Sequence, residues 1–101
     1  MKVIRKLPGK EPELVEMDNT LEALQEAVGG YIETVTYAED ACLICNEEGH
    51  LLGLPYNTTL PIFKIRGPAL FVGTKGEEFC DVPEPEFLMD QIRMTMNLSE
   101  R

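Results

Sequence analysis

One histidine, one serine and an odd three cysteines are all that the 101 residues offer of the side chains that most often perform nucleophilic chemistry. The serine is Ser99, in a stretch expected to fray (97–101), so a Ser-His catalytic pair is excluded. Cys42, Cys45 and Cys80 cannot form a disulfide framework and fit a reducing compartment. Cys42 and Cys45 make a C-x-x-C, but on a strand residues three apart point to opposite faces. Leu43-Ile44 supply no glycine knuckle, no second C-x-x-C follows, and no helix opens there. Both thiols are read as buried and structural; no metal and no cofactor is expected. Cys45 and His50 could meet as thiol and base, yet no third partner is evident.

Missing too is an apolar run of bilayer-spanning length, and the charged start Met1-Lys2-Val3-Ile4-Arg5-Lys6 has no apolar signal core. A cytoplasmic protein without membrane contact is expected. Glycines occur at Gly29-Gly30 and Gly73-Thr74-Lys75-Gly76, but neither place matches a phosphate-cradling motif. The most telling absence is of positive charge: no Lys or Arg lies between Lys10 and Lys64, where eleven Asp and Glu fall. With a formal net charge of -9, such a surface repels phosphate backbones and attracts basic proteins. Direct nucleic-acid binding is therefore not expected.

What is present patterns as one domain over 1–96, large enough for a single core. The stretch Asn46 to Asn57 organises the rest. Asn46-Glu47-Glu48-Gly49 has the composition of a tight hairpin loop with Gly49 at positive φ. It would join strands Ala41–Asn46 and His50–Leu54, with Gly53 and Pro55 ending the second ladder. Before it, Lys2 to Leu7 alternates, Val3 and Arg5 against Lys2, Ile4 and Lys6, and pairs with Leu14 to Met17. Asn19 with Glu22 reads as a capping box for a helix with the stripe Leu21, Leu24, Val28, stopped by Gly29. Tyr31 to Tyr37 is a strand. Ile62 to Ile65 is a short extended segment, and Ala69 to Val72 an apolar, central strand. Asp81 with Glu84 reads as a second capping box, opening a helix from Val82 to Met96 that buries Leu88, Ile92, Phe87 and Met96. The order β-β-α-β-β-β-β-α predicts an α+β fold, a mainly antiparallel sheet with two helices on one face.

Val28-Gly29-Gly30-Tyr31-Ile32, Asn46-Glu47-Glu48-Gly49, Gly53-Leu54-Pro55-Tyr56-Asn57 and Gly67-Pro68-Ala69-Leu70-Phe71-Val72-Gly73 follow one another in that order. By these segments the chain resembles a small family of domains of unknown function from bacteriophages, integrative elements and the bacteria that carry them. The likeness spans Val3 to Val82. It implies an accessory protein of a mobile element, of a kind that modulates host machinery or blocks defence systems by binding. It brings no catalytic residues.

Two functions from different classes follow. The first is a non-enzymatic acidic protein that docks on a basic surface of a host or element-encoded protein, a defence nuclease being one such target. Its patch would comprise Glu22, Glu26, Glu33, Glu39 and Asp40. The second is a small-molecule or nucleotide binder using the Gly53 to Thr59 loop, with Tyr56 and Asn57, and with Lys64 and Arg66 on phosphate. Self-association stays open.

Overall fold

The computed structural model describes residues 1–60 and 63–99, with the side chains at 59, 60, 63 and 96–99 excepted. Five strands form an antiparallel sheet in the order β2-β1-β7-β4-β3: Glu13–Glu16, Lys2–Lys6, Ala69–Lys75, Ala41–Asn46 and Ile32–Ala38. β8 (Glu78–Cys80) pairs with the far half of β7, where β1 has ended. β5 (Tyr56–Leu60) and β6 (Phe63–Arg66) make a separate two-stranded ribbon. The fold is α+β, as the sequence predicts, and β7 is central, flanked by β1 and β4.

β4 and the first half of β7 are buried on both sides, because each covers two cores. Period-two alternation sorts their side chains. Val3, Cys42, Ile44, Leu70 and Val72 meet Leu24 and Val28 of α1 (Leu21–Val28). Ile4, Leu43, Cys45, Ala69 and Phe71 meet Ile65 of β6, Val82, and Ile92 of α2 (Pro85–Ser99). The two helices therefore lie on opposite faces, not on one as expected. A strand apolar on both sides needs a cover on each.

Other boundaries moved for local reasons. The first helix is capped by Thr20, whose hydroxyl accepts from the Ala23 N–H at 3.1 Å, while Asn19 donates to the Phe79 carbonyl. Gly29 does end it, at φ 78. The Asp81–Glu84 box does not form: Asp81 accepts from the Lys2 N–H instead, and the helix starts at Pro85, a favoured first position. α2 runs through Ser99, over part of the stretch expected to fray. Phe87 is exposed rather than buried; Ile62 and the Met96 side chain lie outside the described residues. Among the described residues no helix is long and apolar enough to cross a membrane.

The largest correction falls on the stretch after Asn46. β4 pairs with β3 and β7, and His50–Leu54 is not a strand but a run of turns. Leu52 donates to the Glu48 carbonyl and Leu54 to that of Gly49, at 2.8 and 2.9 Å. Leu51 and Leu52 stay largely in solvent. The ladder after the turn is β5 instead, beginning at Tyr56 in what reads from sequence as a loop. Gly53, not Gly49, has the positive φ. Gly49 is required for a different reason: a Cβ there would stand 2.8 Å from the Arg66 carbonyl oxygen. Gly49→Val should still destabilise the fold, by about 1–3 kcal/mol, through that overlap. An unchanged melting curve would contradict the close approach.

Candidate functional site

Gly49 and His50 cover the free side of β6, where the His50 Nε2–H donates to the Lys64 carbonyl at 2.9 Å. Between this edge and β3 lies a cleft of about 450 Å³, lined among others by Glu33, Val35, Cys45, His50, Lys64 and Arg66. Its size is that of small-ligand sites. Arg66 is partly engaged, donating to the Leu54 carbonyl at 3.1 Å. Cys45, though it lines the cleft with His50, is only 5 % exposed. Burial, with the Glu33 carboxylate beside it, pushes its thiol up to about 11. A thiol held protonated there is no nucleophile at neutral pH. Cys42 points to the other face, where burial also raises it, so the two sulfurs share neither a metal nor a disulfide.

These thiols give the fold an alkaline limit. A group whose pKa is raised on folding stabilises below its unfolded value, here 9.0, and that contribution is lost as pH rises through about 11. Unfolding free energy should fall across that window, and Cys45→Ala should flatten the fall. An equal slope in both proteins would contradict the assignment.

The proposed ligand-loop residues part company. Lys64 and Arg66 line the cleft, whereas Tyr56 stands opposite Arg66 on β5 and does not line it. Asn57 is interior, 6 % exposed, with its amide spent on Lys6 and Gly67. Sequence reasoning passed over Lys6, which is 1 % exposed and hydrogen-bonded to the Leu7 carbonyl and to Asn57. The signal was present: alternation places it on the Ile4 face. Burial lowers its pKa.

The five acidic residues also divide. Glu33 shares the face of Val35 and Cys45, opposite α1, and Glu26 sits further along the helix beside Arg5 and Glu16. Glu22, Glu39 and Asp40 remain at one end of the sheet. That end gathers three connections. The Thr74 N–H donates to the Asp40 carbonyl, setting the β3–β4 turn beside β7, and Asn19 ties the start of α1 to β8. Glu77 and Glu78, at the β7–β8 turn, thereby join Asp18, Glu22, Glu39 and Asp40, all exposed, with Lys75 the one base in these segments. No clustering by distance in sequence reveals this, since register alone brings the turns together.

The described residues hold no group of three or more His, Cys, Asp or Glu placed to share a metal. Fold and surface define a small acidic α+β domain with a cleft of small-ligand size and one strongly acidic end. The chain belongs to the family described as Domain of unknown function (DUF3846), whose model matches residues 1–96. No curated protein matches the chain, and no solved structure does.

Proposed function

We propose that this domain is a non-enzymatic binding module that docks its acidic end onto a basic surface of a partner protein. The observation that supports it is the convergence of Asp18, Glu22, Glu39, Asp40, Glu77 and Glu78 from three separate connections onto one end. Such a predominantly acidic surface accelerates encounter with a basic partner and repels nucleic acid. In the setting that the family resemblance implies, an accessory protein of a phage or mobile element, the partner is a host factor, with defence nucleases among the candidates. A pull-down from host lysate, identified by mass spectrometry and eluted with salt, tests it. Basic proteins should be retained by the native chain and lost with the fourfold variant Glu39→Gln, Asp40→Asn, Glu77→Gln, Glu78→Gln. Retention that neither salt nor the variant reduces counts against it.

A second reading rests on the cleft, where Lys64, Arg66 and His50 meet Glu33 in about 450 Å³. A small molecule carrying an anionic group would fit that wall. It would raise the melting temperature and leave the salt response of the acidic end unchanged.

A further inference from the structure

β3 ends the sheet: β4 occupies one side, and among the described residues no strand pairs with the other. The phase of its backbone is fixed by the Glu47 N–H, which donates to the Tyr31 carbonyl at 2.8 Å. Alternation then directs the N–H and C=O groups of Glu33 and Val35 at β4, and those of Ile32, Thr34 and Thr36 outward. The opposite edge, β2, is four residues long with glutamate at both ends. β3 is seven residues, Ile-Glu-Thr-Val-Thr-Tyr-Ala, without a proline or a base. It lacks most of the devices by which edge strands are blunted. A bulge between Thr36 and Ala38 confines regular pairing to its first five residues.

We propose that this edge pairs with β3 of a second copy of the chain, antiparallel, about a twofold axis beside Thr34. Thr34 then faces its own counterpart, Glu33 faces Val35 of the other copy, and Ile32 faces Thr36. The segment is self-complementary in this register, because no like charges stand directly opposed. Glu33 is brought to Val35 at the margin of the other copy's cleft, whose far wall carries Lys64 and Arg66. Tyr31, 65 % exposed in the single chain, comes across from Tyr37. Neighbouring registers are worse. A Glu33-centred one opposes Glu33 to itself, and a Val35-centred one carries Ile32 past the bulge to Ala38. A Thr36-centred one opposes Glu33 to Glu39 and runs into the bulge, and an Ile32-centred one pairs Thr34 with Gly30, outside the strand. Two chains of net charge -9 repel, so association strengthens as salt is added, the reverse of docking through the acidic end.

Sedimentation velocity of the full chain over a dilution series, at low and high salt, reads the stoichiometry. Thr34→Pro removes only an outward N–H, a change that edge strands accept. Thr34→Cys and Thr36→Cys, each in a Cys80→Ser background, read the register by oxidation. Cα atoms of a directly opposed hydrogen-bonded pair are about 5.5 Å apart, within disulfide reach, whereas residue 36 and its counterpart would be about 14 Å apart. The native chain should shift to dimer with concentration and salt, and Thr34→Pro should stay folded and monomeric. Thr34→Cys alone should cross-link. A chain that stays monomeric throughout, a dimer that survives Thr34→Pro, or cross-linking at 36 as ready as at 34, would overturn the proposal. Should Thr34→Pro unfold, the cysteine pair decides alone.

Discussion

Asn57→Ala should lower the unfolding free energy by about 3–5 kcal/mol, as several buried groups lose their partners at once. Asn57 lies on β5, and its Nδ2 donates to the Lys6 carbonyl at 2.6 Å and the Gly67 carbonyl at 2.7 Å. Its Oδ1 accepts from the Lys6 ammonium at 3.0 Å, and the Leu7 carbonyl accepts from the same ammonium at 2.8 Å. One side chain thus fastens the β5–β6 ribbon to β1 and satisfies a cation buried without a carboxylate partner. Alanine takes the amide donor away from both carbonyls and leaves the ammonium with one acceptor. Asn57→Asp separates the terms, since it places a charge beside Lys6 but removes both donors. It should remain clearly less stable than native, because both carbonyls still lose that donor. Urea unfolding measures both; a loss under about 1 kcal/mol for alanine would show that the clamp is not closed.

Gly73→Ala should cost about 3 kcal/mol or prevent folding, although alanine is otherwise well suited to a buried strand. Gly73 sits in β7 between Ala41 of β4 and Cys80 of β8. A Cβ there would lie 2.2 Å from the Asp81 carbonyl oxygen and 3.0 Å from the Cys80 sulfur. Its φ is not in the left-handed region, so backbone strain does not enter and the overlap decides alone. Relief requires the 80–82 segment to move outward, breaking the Val82 N–H bond to the Lys2 carbonyl and the Lys2 N–H bond to Asp81. Thermal melting reads the effect directly. An unchanged midpoint would mean that β8 does not pack where it is described.

The two predictions also mark where sequence reading reached its limit. Strands whose side chains alternate or are wholly apolar were legible, β1, β3, β4 and β7 among them, because burial imposes those patterns. Gly29 was legible as a helix stop, since the required conformation is local. The His50–Leu54 segment misled because two adjacent leucines imitate a strand, although nothing obliges a leucine to be covered. β5 was missed because Tyr-Asn-Thr-Thr combines strand and turn formers, and its inward residues Asn57 and Thr58 are polar. The faces of the acidic residues were partly legible. Alternation alone could have placed Glu33 with Val35 and Tyr37, away from the residues that meet the helix. Glu77 and Glu78 could not be linked to Asp40, because only the long-range register of β4 with β7 brings their turns together. The cleft likewise depends on where a separate ribbon docks, which no local pattern encodes.

The acidic end is tested most directly by the association rate between this chain and its most basic captured partner, measured over a series of salt concentrations. The native rate should fall steeply with salt. The fourfold variant at Glu39, Asp40, Glu77 and Glu78 should associate more slowly with a shallower dependence, while its folding stays within about 0.5 kcal/mol. Equal rates and equal slopes for a folded variant would contradict the assignment of that end as the docking surface.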